Sequence, residues 1–259
     1  MKFDMHCHTS NGSFDSRVDI EEYIELLRME GFQGMLVTDH NTYNGYRAWE
    51  KIRRRTHKYD DFVVLKGVEY DTRDAGHILV IMPDDVNLKV LEVRGMPLRQ
   101  LIYTVHAFGG ILGPAHPYGA PYLSAMRCRR LKIQGDLLHA FDFVEAFNTC
   151  ETKESNRQAK RLVDVYHKVG FGGSDSHRPQ DVGLAFTEID ADVRCNSDLI
   201  YAVKTGKVVG FGGMEREKQK NVAVQRAMSV PFRMYNRSLW AAKAMSRRNN
   251  LKHLFQHGA

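Results

Sequence analysis

The sequence has few cysteines and no long apolar run. The four cysteines among 259 residues, Cys7, Cys128, Cys150 and Cys195, form no Cys-x-x-Cys pair. This spacing argues against a secreted disulfide scaffold and favours a reducing compartment. No apolar stretch approaches the roughly 18 residues that a membrane-spanning helix needs, and the chain enters a strand-like segment without a leader-like one. We therefore expect a cytoplasmic protein with no membrane partner.

Acidic residues are scarce in one part of the chain, its C-terminal segment. Lys and Arg total 37 against 31 Asp and Glu, a formal net charge of +6. Residues 204–259 contain twelve basic and two acidic residues, a net charge of +10, so residues 1–203 carry −4. The basic segment could be a solvated helical face or could bind a polyanion such as nucleic acid, and the sequence leaves both open.

Short apolar runs alternate with amphipathic stretches, a pattern typical of βα units around a parallel sheet or barrel. Strands are predicted at 2–6, 34–38, 62–68, 77–82, 110–115, 141–147, 170–173 and 184–189. Helices are predicted at 18–29, 46–55, 97–108, 154–167 and 197–205. Gly31 is placed to end the first helix, and residues 71–76 form the turn of a hairpin. From residue 214 the pattern changes to basic helical segments at 215–228 and 235–255. We predict an α/β barrel domain over 1–213 and a basic helical extension over 214–259, which packs on or beside the barrel.

Histidines and carboxylates follow the apolar runs at their C-terminal ends or on the adjoining hairpin strand. The residues that obey this rule are His6, His8, His40, Glu69, His77, His116, Asp175 and His177. In a βα barrel the strand C-termini converge on one mouth, so these side chains should meet in space. Mixed imidazole and carboxylate ligands suit zinc, iron or manganese, and the absence of a matching cysteine set argues against a closed structural zinc site. Cys7, between His6 and His8, is expected to point into the core.

The motifs in this order resemble those of the PHP (polymerase and histidinol phosphatase) family of metal-dependent phosphoesterases. They are His6-Cys7-His8-Thr9, Thr38-Asp39-His40-Asn41, Gly67-Val68-Glu69, Ala115-His116-Pro117 and Gly173-Ser174-Asp175-Ser176-His177. The resemblance covers roughly residues 1–210 and implies a distorted (β/α)7 barrel, similar to a TIM barrel, that holds two or three divalent ions. It implies one ion on His6, His8, Glu69 and Asp175, a second on Glu69, His77 and His116, and a third on His40 and His177.

Three further residues are candidates with a competing structural role. Asp15 lies in the loop from which the family takes a ligand for the third ion, but one or two residues later than in the commoner pattern; it could instead cap the first helix. Asp39 could orient a ligand or shuttle a proton, or cap a helix. Arg178 resembles the arginine that histidinol phosphatases use for phosphate, and it could also be a solvated side chain. His177 is a candidate for protonating the leaving group.

The leading hypothesis is a hydrolase that acts on phosphate esters, either phosphomonoesters or nucleotides and oligonucleotides, by water activated between metal ions. One alternative is a nuclease or nucleic-acid-binding module that uses the basic segment. A less favoured alternative is an amidohydrolase, in which a carboxylated lysine usually bridges the metals where Glu69 stands here. The expected partner is a small phosphorylated substrate.

Overall fold

The computed structural model describes residues 1–128, 131, 135–216, 230 and 234. Nine strands are assigned in this part of the chain, and seven of them form one curled sheet in the order β5-β4-β3-β2-β1-β8-β9. The remaining two, β6 and β7, pair in parallel. The strands are β1 Lys2–Cys7, β2 Gly34–Val37, β3 Val63–Asp71, β4 His77–Ile81, β5 Ile111–Pro114, β6 Phe143–Asn148, β7 Val169–Gly173, β8 Ala185–Ile189 and β9 Val208–Gly213.

Five α-helices have described bounds in this part of the chain. They are α1 Ile20–Met29, α2 Asn44–Arg53, α3 Leu98–Ala107, α4 Lys153–Tyr166 and α5 Asn196–Lys204. Helix α1 starts two residues later than predicted because Asp19 caps it, accepting a hydrogen bond from the Glu21 backbone N–H. Gly31 ends it with a φ of +73°, as predicted. In the described part of the chain, no helix combines the length and the apolar character that crossing a bilayer requires.

The sheet curls around a core that the β6–β7 pair helps to enclose. The Asp142 backbone N–H bonds the Leu112 carbonyl beside β5, and that of Asp175 bonds the His6 carbonyl in β1. The β6–β7 pair therefore lies between two strands of the larger sheet. Inside are large apolar side chains from both sheets, among them Phe3, Phe143 and Phe171. The helices cover two further apolar clusters outside the sheet.

The sheet is mixed, whereas the alternation of elements favoured a parallel sheet or barrel with one antiparallel hairpin. Within the seven-stranded sheet, β1 with β2 and β2 with β3 are parallel, and the other four pairs are antiparallel. The predicted hairpin is present, with Asp71 of β3 opposite His77 of β4. Strand β9 was not predicted because half of its six residues are glycine, which weakens a strand signal. The predicted extension over 214–259 lies outside the described residues except at 214–216, 230 and 234.

Candidate metal centre

The carboxylate of Glu69 lies at the middle of a buried cluster of imidazoles. Its Oε1 is 2.8 Å from His77 Nδ1 and 2.9 Å from His116 Nε2. Its Oε2 is 3.1 Å from His40 Nδ1 and 3.2 Å from His8 Nε2. The Glu69 side chain is only 1% exposed. One carboxylate thus contacts imidazoles carried by or following four other strands, β1, β2, β4 and β5.

Three of the predicted ligands meet where β1 lies beside the end of β7. His8 Nε2 is 3.3 Å from Asp175 Oδ1 and 3.0 Å from His6 Nε2. Ligand atoms of His6, His8 and Asp175 all lie within 4.8 Å of one another. The alternation of side chains in β1 puts His6 and His8 on this face and Cys7 in the core, where Cys7 is fully buried.

A third group lies at the rim of the cluster. Ligand atoms of His8, His40 and His177 come within 4.8 Å of one another. Asp15 Oδ2 is 3.3 Å from His177 Nε2 and 3.8 Å from His40 Nε2, with a side chain that is 38% exposed. The alternative role of Asp15 as a helix cap is wrong, because Asp19 caps α1. The structure therefore brings all nine sequence-predicted ligands into one cluster.

Most of the imidazoles are held through Nδ1 so that Nε2 faces the cluster. His6 Nδ1 is 2.8 Å from Glu145 Oε1, His8 Nδ1 is 3.2 Å from Ser13 Oγ, and His116 Nδ1 is 3.3 Å from Ser124 Oγ. His177 donates from Nδ1 to the Asp175 carbonyl over 2.9 Å. A group on the far ring nitrogen fixes the tautomer and orientation of a metal-binding histidine. His40 and His77 are turned the other way, with Nδ1 toward Glu69.

Backbone geometry and one buried carboxylate set the positions of the strand ends. His116, Asp175 and Asn41 have positive φ values of 28°, 50° and 52°, a region that non-glycine residues seldom occupy. Such strain persists where the surrounding structure enforces it, often at functional sites. Asp4, fully buried, accepts hydrogen bonds from both the backbone N–H and the hydroxyl of Ser174, which holds β1 against β7.

Asp39 and Arg178, the two predicted catalytic residues besides His177, make their hydrogen bonds outside the imidazole cluster. Asp39 accepts hydrogen bonds from the backbone and hydroxyl of Thr9, the Ser13 hydroxyl and the Gly45 N–H in the first turn of α2. It therefore supports both the helix and, through Ser13, the His8 ring. Arg178 donates from Nε and Nη2 to Asp181 Oδ2, and its side chain is 42% exposed.

Burial and charge shift the pKa of several groups in the cluster. Burial lowers the pKa of His40 to about 4. Burial also lowers the pKa of His8 and His77, but the neighbouring carboxylates raise these pKa values by more. The pKa of His8 rises to about 9 beside Asp175 and Glu69, and that of His77 to about 10 beside Glu69 and Asp71. Despite its burial, Glu69 has a pKa well below its usual range because the imidazoles stabilise its charge. In the metal-free centre the Glu69 carboxylate is therefore ionised and its partners His8 and His77 favour the protonated form.

Two acidic residues of the cluster were missed by the sequence interpretation. Glu145 is buried in β6, bonds His6, and its Oε2 accepts from the His116 backbone N–H. Asp71, at the end of β3, has its Oδ1 3.1 Å from His77 Nε2. A signal for Asp71 exists, because Glu69 and Asp71 repeat the two-residue spacing of His6 and His8. Glu145 sits inside an apolar run with no such repeat.

The donor set fits divalent metal ions. It combines imidazole nitrogens with carboxylate oxygens, as zinc, manganese and iron sites do. Glu69 Oε2 and His40 Nδ1 are buried, and neither makes a hydrogen bond of good angle although they lie 3.1 Å apart. Leaving buried acceptors unsatisfied costs free energy, which a bound cation removes. Several ligand groups side by side can hold more than one ion.

Two family models match the chain. The model for the PHP domain matches residues 4–172, which is more than half of the sequence. A second model, described as PHP-associated, matches residues 153–208. A search of curated proteins found no match. The first model spans Glu69, His77 and His116, and the second covers Asp175 and His177.

Solved structures with the same fold have low sequence identity to this chain. PsfC from Pseudomonas syringae is 16% identical, with a TM-score of 0.61 over 92% of this chain and 98% of that one. A two-domain protein from Bacteroides vulgatus, titled as containing a predicted PHP-like metal-dependent phosphoesterase, is 16% identical, with a TM-score of 0.59 over 88% and 69%. Endonuclease Q bound to a 27-mer duplex with an abasic lesion is 17% identical, with a TM-score of 0.59 over 85% and 61%. The domain models and the shared fold agree with the motifs at the strand ends, and the chain belongs to the PHP domain family.

Proposed function

We propose that this protein hydrolyses phosphate esters at a centre of two or three divalent ions. The observation that carries the proposal is the position of Glu69, whose two oxygens contact four imidazoles within 3.2 Å. A carboxylate so placed can bridge neighbouring ions. Bound divalent ions would stabilise the negative charge of a phosphate ester and would lower the pKa of a water molecule.

The ligand groups proposed for the ions share this carboxylate. His6, His8, Glu69 and Asp175 would hold the first ion, and Glu69, His77 and His116 the second. His40 and His177, with Asp15, would hold a third. The support is geometric: the His6–His8–Asp175, Glu69–His77–His116 and His8–His40–His177 groups each bring their ligand atoms within 4.8 Å. Zinc, manganese and iron all suit these donors.

Residues around the ligands would position them and the substrate. Asp39 would act as a positioning residue, since it fixes the Ser13 hydroxyl that contacts His8. In a centre of two ions, where His177 Nε2 holds no metal, His177 could instead donate a proton from that nitrogen to the leaving group, since its side chain is 21% exposed at the rim. Arg178 would contact a substrate phosphate with its exposed part while Asp181 orients the guanidinium.

Two other functions compete with phosphomonoester hydrolysis. Nucleic acid remains a candidate substrate or partner through the basic residues 204–259, and Endonuclease Q, of similar fold, binds duplex DNA. An amidohydrolase is less favoured, because the centre of the cluster is occupied by Glu69 rather than by a lysine. Divalent ions bound at the centre would give it the positive charge that suits a phosphate ester, the substrate class of the small-molecule proposal.

The Glu69→Gln variant tests the proposal. Loss of the bridging charge should reduce hydrolysis of p-nitrophenyl phosphate by several orders of magnitude and lower the bound metal measured by elemental analysis. The circular dichroism spectrum should stay unchanged. The matched control is Glu188→Gln, which changes an exposed glutamate in β8 and should keep full activity.

Assays of the same wild-type and variant preparations distinguish the three substrate classes. The compounds are p-nitrophenyl phosphate, a 5′-phosphorylated oligonucleotide and dihydroorotate. Phosphatase activity on the small ester supports the proposal, and cleavage confined to the oligonucleotide favours the nuclease. Turnover of dihydroorotate alone would point to an amidohydrolase. Near wild-type phosphatase activity with normal metal content in Glu69→Gln would refute the bridging role.

A further inference from the structure

Asp71 is a buried carboxylate with its two oxygens in different surroundings. It ends β3 opposite His77 and lies two residues from Glu69, on the same face of the strand. The residue is 2% exposed. Its Oδ2 accepts hydrogen bonds from Asn41 Nδ2 over 2.6 Å and pairs with Arg94 Nη2 at 2.7 Å. Asn41 and Arg94 thus fix the direction in which Oδ1 points.

The Oδ1 atom of Asp71 faces the metal centre. It is buried and has no hydrogen-bond partner in aligned geometry, although it is 3.1 Å from His77 Nε2 and 3.9 Å from His40 Nδ1. Ligand atoms of His40, Asp71 and His77 lie within 4.8 Å of one another. Three buried atoms without an aligned hydrogen bond, His40 Nδ1, Glu69 Oε2 and Asp71 Oδ1, therefore lie close together, with Nδ1 3.1 Å from Oε2 and 3.9 Å from Oδ1.

The orientation of two imidazoles supports the same conclusion. His6, His8, His116 and His177 present Nε2 to the cluster and are held at Nδ1. His40 instead turns Nδ1 toward Glu69 and Asp71. His77 places its Nδ1 against Glu69 Oε1, which leaves Nε2 directed at Asp71. Two nitrogens and a carboxylate oxygen thus converge on a position that the ligand groups proposed above do not include.

We propose that Asp71 is a metal ligand, whose Oδ1 binds a divalent ion together with His77 Nε2 and His40 Nδ1. Each ring would bind this ion in place of the one assigned to it above, because a neutral imidazole has one nitrogen free for a metal. The proposal rests on the function proposed above, in that the centre binds divalent ions. Arg94 on Oδ2 would offset part of the added negative charge. An additional carboxylate also shifts the donor set toward oxygen, which favours Mn²⁺ over softer ions.

The test is a Mn²⁺ titration of the whole 259-residue chain after dialysis against a chelator. Binding is monitored by calorimetry and by the electron paramagnetic resonance signal of free Mn²⁺. Asp71→Asn should bind one ion fewer than wild type, or bind one ion at least tenfold more weakly. Arg94→Gln removes the partner of Oδ2 and leaves Oδ1 in place, so it should keep the wild-type number of ions. Asp142→Asn, a partly exposed carboxylate that bonds His106 and the Leu112 N–H, is the control.

The outcomes separate the two proposals. Wild-type Mn²⁺ stoichiometry and affinity in Asp71→Asn overturn the ligand role, and so does an equal loss in Asp71→Asn and Arg94→Gln, which indicates a structural role for the pair. If Asp71→Asn fails to fold, the double variant Asp71→Asn/Arg94→Gln, which leaves no lone buried charge, provides the same readout. A wild-type protein that binds no divalent ion would overturn the proposed function instead.

Discussion

Replacing Glu145 with glutamine tests whether the cluster depends on residues that hold the imidazoles. Glu145 Oε1 is 2.8 Å from His6 Nδ1, and Oε2 accepts from the His116 backbone N–H. The glutamine keeps the size of the side chain, but it removes the charge that keeps a proton on His6 Nδ1. It also turns an N–H₂ group toward one side of a carboxylate whose oxygens accept from His6, His116 and Asn148. Both effects free the His6 ring to reorient.

The expected magnitude follows from this contact. Loss of a residue that holds a metal-binding histidine weakens metal affinity about 10- to 100-fold, which corresponds to about 1.4 to about 2.8 kcal/mol. Only part of the centre should be affected, because His77 and His40 are oriented by Glu69 and not by Glu145.

Isothermal titration calorimetry of the chelator-treated protein with Zn²⁺ or Mn²⁺ measures the effect. The matched control is Glu22→Gln, on the exposed face of α1. Unchanged affinity in Glu145→Gln would refute the reasoning, since His6 would then keep its orientation without the carboxylate. Equal weakening in both variants would show that the loss does not come from the contact with His6.

Three other predictions follow from the contacts of the centre. Arg178→Gln should raise KM for a phosphate ester severalfold with unchanged metal content, and an unchanged KM would remove the arginine from substrate binding. Gly12→Ala should lower the free energy of unfolding in urea by about 1–3 kcal/mol, because a Cβ at Gly12 would lie 2.1 Å from Asp39 Oδ2; wild-type stability would contradict this. In metal-free protein the pKa values of His8, about 9, and His77, about 10, exceed their unfolded value of about 6.5. The protonated rings therefore contribute fully to the stability of the fold below about pH 6.5. This contribution should disappear as the pH rises to about 10. A free energy of unfolding that does not fall over that pH range would contradict the prediction.

Local patterns in the sequence were enough to predict eight of the nine described strands and the polar residues near their ends. His6 and His8, Glu69, and Asp175 with His177 each lie at the end of an apolar run, and buried strands are recognisable from such runs without knowledge of their partners. The motifs also identified the PHP family. The boundaries of the five described helices were predicted to within two residues, and caps such as Gly31, which act over a single turn, are visible in the sequence.

The mixed sheet, the supporting residues and the partner of each ring nitrogen depended on the tertiary structure. Strand direction is decided by which strands pair, and β1 joins β2 in parallel but β8 in antiparallel fashion, over separations of about 30 and 185 residues. Glu145 meets His6 across 139 residues, and a glutamate inside an apolar run does not indicate its partner. Asp71 had a spacing signal, but only the fold showed that Asn41 and Arg94 hold one oxygen and leave the other facing His77. Local propensities act over a few residues, whereas these contacts form only when distant strands are brought together by burial of the shared core.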